Sequence, residues 1–201
     1  MCLVQAQNTA PFSMNKISSL FAFLFLISFA GIAQKKSSSS LPVDSTTHLI
    51  TYDEVVQAPN QSADILYNRA LAWFRNYYKN SGEVIRKNDI AEHIIVGKPR
   101  FKIYNPADPK DKEALKTDAG IVQYTITVSA REGRFKYELT EFNWKQNSYY
   151  KAERWMDKKD QMYMKAYDEY LKQVDEYAQA LIADLKNSMV NEKPVKDKDK
   201  W

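Results

Sequence analysis

Two neighbouring stretches in the second half of the chain alternate hydrophobic and polar residues with the period of a β-strand. Residues 121–129 read IVQYTITVS, and residues 134–144 read RFKYELTEFNW. The second stretch loses its phase by one residue, which predicts a bulge or a strand end near Thr140. A turn containing Gly133 separates the two stretches, so the pattern predicts an antiparallel hairpin. One face of its first strand is apolar and consists of Val122, Tyr124, Ile126 and Val128.

Two other stretches repeat hydrophobic residues every three or four positions, as amphipathic helices do. The first predicts a helix from Ala63 to about Tyr78, and the Ser62 hydroxyl is placed to cap its first turn. The second predicts a long helix near the end of the domain. Its apolar stripe consists of Tyr163, Tyr167, Tyr170, Leu171, Val174, Ala178, Leu181, Leu185 and Met189. We expect Trp73 and Leu181 to be core residues on the two helices.

Three further stretches predict strands. They are residues 49–57, 83–89 and 94–104, and Pro99 inside the last one indicates an edge or a bulge because proline has no N–H to donate. The predicted order is β-α-β-β-β-β-α. This order is typical of an α+β domain in which two helices cover one face of an antiparallel sheet, while the other face remains polar and wet.

The region before the domain resembles an export signal. Lys16 follows a start-like Met14, and an apolar run of 13 residues extends from Leu20 to Ile32. This run is too short for a membrane span, which needs about 20 apolar residues, and it fits the hydrophobic region of a signal peptide. We predict cleavage after Ala33. The alternative is an N-terminal membrane anchor.

These features divide the chain into four parts. Residues 1–33 would be an upstream extension plus signal peptide, with either Met1 or Met14 as the true start. Residues 34–47 form a polar linker, residues 48–190 a single domain, and residues 191–201 a charged tail. After processing, no transmembrane segment is expected. The protein would then be periplasmic or extracellular.

Charge and residue usage argue against several chemistries. The whole chain carries +4, of which Lys16 is the one charge in residues 1–33, and acidic and basic residues are interspersed. Nucleic acid is therefore not an expected partner, since it usually requires a strong basic patch. The single cysteine, Cys2, precedes the predicted cleavage site, and His48 and His93 lie far apart. We expect no metal site, no cofactor and no thiol chemistry, and no catalytic motif is found.

A basic stripe is the first candidate binding feature. Lys98, Arg100 and Lys102 alternate with apolar residues, and Tyr104 follows in phase. Alternation places these four residues on the open face of the sheet, where they could meet an anionic glycan or a lipid headgroup. The alternative is an ordinary solvated strand face.

An aromatic run between the last strand and the last helix is the second candidate. It contains Trp144, Tyr149, Tyr150 and Trp155. Flat rings with polar tips suit contacts with sugars or proteins. The alternative is that these rings pack the loop onto the end of the sheet.

Four segments also carry a resemblance to a known family. They are LPVDSTTHLITYDEVVQ, SADILYNRALAWF, TDAGIVQYTIT and EGRFKYELTEFNW, in that order. Over about residues 41–185 the chain resembles exported proteins of Bacteroidetes that are described as a domain of unknown function with a TATA-binding-protein-like (TBP-like) fold. The resemblance implies this fold and an envelope location. It implies no activity and no functional residues.

Two functions remain as hypotheses. The first is an exported, envelope-associated, non-enzymatic module that binds a protein, a glycan or an anionic lipid. The second is a hydrolase with an unrecognised active site. A deep pocket that joins a serine or a carboxylate to His93 would favour the enzyme, whereas a shallow polar surface would favour binding.

Overall fold

A computed structural model describes residues 41–106 and 116–190 of the chain. The predicted signal peptide with its cleavage site, residues 34–40 of the predicted linker, and the predicted tail lie outside the described residues. Within these residues, no helix has both the length and the apolar character that a membrane crossing requires.

The described residues form a seven-stranded antiparallel sheet and three α-helices. The strands are β1 (Tyr52–Gln57), β2 (Ile85–Asp89), β3 (Ile94–Gly97), β4 (Arg100–Tyr104), β5 (Asp118–Arg131), β6 (Arg134–Lys145) and β7 (Tyr149–Lys151). The helices are α1 (Ala63–Tyr77), α2 (Ser81–Val84) and α3 (Ala166–Val190), and a 3₁₀ helix (Ala152–Met156) follows β7. The predicted α+β class is therefore confirmed.

The predicted hairpin is the centre of the sheet. The strand order is β1-β6-β5-β3-β2, with β4 also paired to β5 and β7 also paired to β6. Strands β5 and β6 turn at Gly133, whose φ of +70° is accessible to glycine at little cost. The predicted bulge is confirmed, because the register shifts between Gln123 and Thr125 and Glu141 adopts a φ of +54°. This extra residue returns Phe142 to the buried face.

The stretch predicted as one strand over residues 94–104 is two strands. Lys98 and Pro99 lie between β3 and β4, and both strands pair with β5, through Gly97 with Ile126 and through Arg100 with Gln123. The break follows from the missing N–H of Pro99. The short elements α2 and β7 also depart from the predicted order, and α3 begins at Ala166 rather than near Tyr163.

Both long helices cover the same face of the sheet, as predicted. The apolar face of β5 is at most 1% exposed. The Ser62 hydroxyl accepts the N–H of Ile65 at the start of α1, as predicted. Trp73 of α1 and Leu181 of α3 are both buried in the core, at 3% and 0% exposure.

A chain of tyrosine hydroxyls runs through this core. The Tyr124 hydroxyl lies 3.0 Å from the Tyr78 hydroxyl and 3.2 Å from the Tyr177 hydroxyl. Burial is the main reason that the pKa of each of these three tyrosines lies above its ordinary value. The hydroxyls therefore stay protonated and hydrogen-bonded at neutral pH, which satisfies polar groups that would otherwise be costly inside an apolar core.

Candidate functional site

The basic stripe is exposed but largely compensated. Lys98 lies in the turn before β4, and its Nζ is 3.4 Å from an Oε of Glu141. The Nζ of Lys102 is 3.1 Å from an Oδ of Asp118. Glu138, which alternation also places on the open face, pairs with Lys136 instead, at 3.6 Å.

Both compensating carboxylates are held in their charged form. The Thr125 hydroxyl, and after it Lys98, lowers the pKa of Glu141. The backbone N–H of Gly120, and after it Lys102, lowers the pKa of Asp118. Two of the three cations therefore face ionised acids at neutral pH. Exposed pairs of this kind contribute little to stability, but they reduce the positive potential of the stripe.

Tyr104 lies at the end of β4, where the pairing with β5 shifts by one residue at Ala119. Its backbone N–H and carbonyl are both bonded by the side-chain amide of Gln173 in α3, at 2.9 Å and 2.8 Å. The Tyr104 side chain is exposed in phase with Arg100 and Lys102, so it continues the stripe along β4, as predicted.

The structure brings three of the four residues of the aromatic run together. Trp144 in β6, Tyr150 in β7 and Trp155 in the 3₁₀ helix line one cleft. Tyr149 does not line it, because neighbouring residues of a strand point to opposite faces. A fourth ring, Tyr167, reaches the cleft from α3.

The four rings contact one another at their edges and faces. The ring centroids of Trp144 and Trp155 are 5.5 Å apart. Those of Trp155 and Tyr167 are 5.8 Å apart, with an angle of 30° between the ring planes. Tyr150 lies 6.4 Å from Trp144. Trp155 is 2% exposed and forms the floor of the cleft, whereas Tyr150 is 39% exposed and forms a wall. The cleft thus combines a packed base with an accessible ring.

Several backbone contacts fix the base of the cleft. The Trp144 indole N–H donates to the carbonyl of Ala119 at 2.9 Å, and Trp144 is the pairing partner of Tyr150 across β6 and β7. The backbone of Gly120 lies so close to Trp144 that a Cβ atom at residue 120 would be 2.9 Å from the indole nitrogen. On the other side, a Glu153 carboxylate oxygen accepts the backbone N–H of Ile50 at 2.8 Å and ties the 3₁₀ helix to the start of the sheet.

The cleft has a volume of about 340 Å³ and a polar rim. Its non-aromatic lining consists of Gln146, Asn147, Arg154, Asp160 and Met162. The Arg154 guanidinium lies 5.8 Å from the Tyr150 ring centre and 3.5 Å from an oxygen of Asp160. The backbone N–H of Met162, and after it Arg154, lowers the pKa of Asp160, so the rim carries one positive and one negative charge at neutral pH.

Comparison with known proteins identifies the family of the central part of the domain. Residues 52–145 match the family described as a domain of unknown function (DUF4468) with TBP-like fold. This segment belongs to the DUF4468 family. The resemblance and the TBP-like fold predicted from the sequence are both confirmed. No functionally curated protein matches the chain.

Two solved structures from Bacteroidetes are similar to the chain in fold. A DUF4468 family protein from Bacteroides ovatus has a TM-score of 0.60 and 18% identity, covering 77% of this chain and 92% of its own. A TBP-like protein from Parabacteroides distasonis has a TM-score of 0.58 and 16% identity, covering 76% of this chain and 99% of its own. At these identities the likeness shows the fold.

The cleft extends beyond the matched DUF4468 segment. Trp144 lies just inside the end of that segment, whereas Tyr150, Trp155 and Tyr167 follow it. The sequence analysis did not single out the polar lining residues or Tyr167 as site residues. Tyr167 belongs to the apolar stripe of the last helix, which predicts a packing role for it. Isolated polar residues in a loop show no sequence pattern that distinguishes a residue lining a cleft from one in solvent.

His93 lies away from this cleft. Its Nε2 is 2.7 Å from a carboxylate oxygen of Asp64 on α1, and neither residue lines the aromatic cleft. A second cleft, of about 220 Å³, is lined by Lys79, Lys98 and Arg100 among others, again without His93. Within the described part of the DUF4468-containing domain, no group of three His, Cys, Asp or Glu residues could hold a metal ion.

Proposed function

We propose that the protein is an exported, envelope-associated, non-enzymatic binding module and that the aromatic cleft is its ligand-binding surface. The observation that carries this proposal is the exposed wall of Tyr150 above the buried floor of Trp155. Rings that only packed the loop would bury both faces. Here four rings surround a space of about 340 Å³, which lies within the range of about 300–1,000 Å³ typical of ligand pockets.

The cleft is favoured over the basic stripe by its electrostatics and shape. Lys98 and Lys102 already face Glu141 and Asp118, so an anionic ligand on the stripe would compete with two internal partners. The cleft offers preorganised rings whose packing is independent of the ligand. Preorganisation lowers the ordering cost of binding.

The lining of the cleft supports binding over hydrolysis. A general acid or base works best when its pKa lies near the operating pH, and the pKa of Asp160 is instead lowered by the Met162 backbone N–H and by Arg154. Asp160 is the one carboxylate among the lining residues, and it faces Arg154. A hydrolase remains the alternative, and release of cleaved products from envelope material during incubation would favour it.

Export is the first testable part of the proposal. The signal-like segment predicts that cleavage follows Ala33, so the mature protein begins at Gln34. N-terminal sequencing or intact-mass analysis of protein expressed in a Bacteroidetes host measures this directly. A product found in the membrane with residues 20–32 still attached would contradict export by cleavage and support an anchor.

Retention on envelope material tests the cleft. Wild-type protein and the variant Tyr150→Ala are sedimented with purified Bacteroidetes envelope fragments. We expect the variant to lose most of its retention, by about fivefold to tenfold, which corresponds to one aromatic contact worth about 1 kcal/mol or slightly more. The matched control is Tyr149→Ala, which removes a more exposed tyrosine from the adjacent position outside the cleft.

A charge variant separates the two candidate surfaces. The triple variant Lys98→Gln, Arg100→Gln, Lys102→Gln is expected to sediment as the wild type does at both low and high salt. Retention that depends on these three cations and falls as salt rises would assign binding to the stripe, because exposed charges are screened over about 8–10 Å. Equal retention of Tyr150→Ala and wild type would contradict the cleft proposal.

A further inference from the structure

We infer that the ligand of the aromatic cleft is an uncharged sugar unit of a glycan. This inference rests on the proposed binding function and specifies its ligand. It follows from three features of the cleft taken together, namely an accessible aromatic surface, an amide-bearing rim and compensated charge.

The rings supply the surface that a sugar ring needs. A pyranose exposes a patch of C–H groups on one face, and these weakly positive hydrogens are attracted by the electron-rich face of an aromatic ring. Tyr150 is 39% exposed, and half-buried Trp144 and Tyr167 continue the aromatic surface inward. The floor is closed by Trp155, so a ligand would contact rings on more than one side.

The rim supplies groups that match hydroxyls. Side-chain amides both donate and accept hydrogen bonds, as sugar hydroxyls do. Asn147 makes no side-chain hydrogen bond within the described residues, and Gln146 donates one N–H to the Ala119 carbonyl at 3.3 Å. An acyl chain or an apolar peptide side chain would cover these amides without forming hydrogen bonds with them, which is unfavourable because buried polar groups lose their bonds to water.

The charges of the rim favour a neutral ligand. Arg154 and Asp160 face each other at 3.5 Å, and their side chains are 56% and 27% exposed. A phosphate or carboxylate approaching Arg154 would be repelled by ionised Asp160. A hydroxyl can instead accept from the guanidinium and donate to the carboxylate. The pair itself is solvated and therefore weak, so a hydroxyl can enter it at little cost.

Binding to a panel of defined sugars tests this inference. The probes are neutral disaccharides built from glucose, galactose, mannose or N-acetylglucosamine, with digalacturonic acid and phosphatidylglycerol vesicles as charged comparators. Saturation-transfer NMR detects contact, and titration of tryptophan fluorescence gives the affinity. We expect at least one neutral disaccharide to bind more tightly than both charged comparators.

Matched variants locate the contact. Tyr150→Ala is expected to weaken sugar binding about tenfold, Tyr150→Phe to retain most of it because the ring remains, and Tyr149→Ala to leave it unchanged. Asn147→Ala, at an exposed loop position, is a second variant that is not expected to disturb folding and should weaken binding about threefold to tenfold through one lost hydrogen bond. Circular dichroism of each variant confirms that the fold is kept.

The outcomes separate the inference from the proposed function. If no neutral sugar binds while envelope retention still depends on Tyr150, the sugar inference is overturned and the cleft remains the binding surface. If neither sugar binding nor envelope retention depends on Tyr150, both are overturned. If digalacturonic acid or the vesicles bind better than every neutral sugar, the inference of an uncharged ligand is wrong.

Discussion

Replacing Trp73 with alanine is expected to lower the free energy of unfolding by about 3–5 kcal/mol, the usual cost of removing a large aromatic ring from a core. Trp73 is 3% exposed. Its ring stacks on Tyr77 at 4.9 Å and meets Phe74 edge-on at 5.1 Å. The indole N–H also donates to a carboxylate oxygen of Asp184 on α3 at 2.8 Å. The substitution therefore leaves a cavity and breaks a link between the two covering helices.

Urea denaturation followed by circular dichroism measures this loss. Ile65→Ala is the matched control on α1, because Ile65 is 45% exposed and should change stability by less than about 1 kcal/mol. Trp73→Phe keeps a six-membered aromatic ring but loses the pyrrole ring and its bond to Asp184, so its difference from Trp73→Ala measures the contribution of the retained ring. A loss below about 1 kcal/mol for Trp73→Ala would contradict the assignment of α1 to the core.

Replacing Leu181 with alanine is expected to cost about 2–5 kcal/mol by the same mechanism, from the opposite helix. Leu181 has 0% exposure in the middle of α3. The control is Gln179→Ala, two residues away on the exposed side of the helix, with an expected change within about 0.5 kcal/mol. Equal stability of the Leu181 and Gln179 variants in urea would show that α3 packs through a different face.

The strongly periodic elements could be predicted because their pattern records burial. The alternation around Tyr124 and the helical repeat around Trp73 each extend over several residues, and both places are buried. The bulge near Thr140 could also be predicted, since a change of phase in a buried strand requires an extra residue. Each of these predictions depends on local sequence alone.

Short elements and tertiary pairings could not be predicted in this way. Strand β7 has three residues and α2 has four, too few to show a period. Pro99 indicated an irregularity, but the pairing of both β3 and β4 with β5 is a property of the assembled sheet. Helix α3 starts three residues after the beginning of its apolar stripe, and Tyr163 packs edge-on against Tyr167 from the preceding segment.

The candidate site shows the same division. The aromatic run is visible in the sequence, but the separation of Tyr149 from Tyr150 depends on β7, and Tyr167 arrives from another element. The bulge has a second effect on the basic stripe. Glu141 at the bulge has its carboxylate beside Lys98, so a residue from outside the regular alternation supplies the compensating charge.

The hydrogen-bonded tyrosine hydroxyls align α3 with the sheet in a way that apolar packing alone does not provide. Apolar surfaces can shift against each other with small changes in energy. Hydrogen bonds depend on distance and angle, so the tyrosine hydroxyls, which are 3.0 Å and 3.2 Å apart, bond only when the elements that carry them are in this arrangement. Moving α3 by one turn, about 5.4 Å, would break the hydrogen bond between Tyr177 and Tyr124 and leave Tyr124 bonded to Tyr78 alone. Tyr167 lies on the same helix as Tyr177. The hydrogen bond between Tyr124 and Tyr177 thus helps to fix the position of α3, and with it the position of the Tyr167 ring in the aromatic cleft.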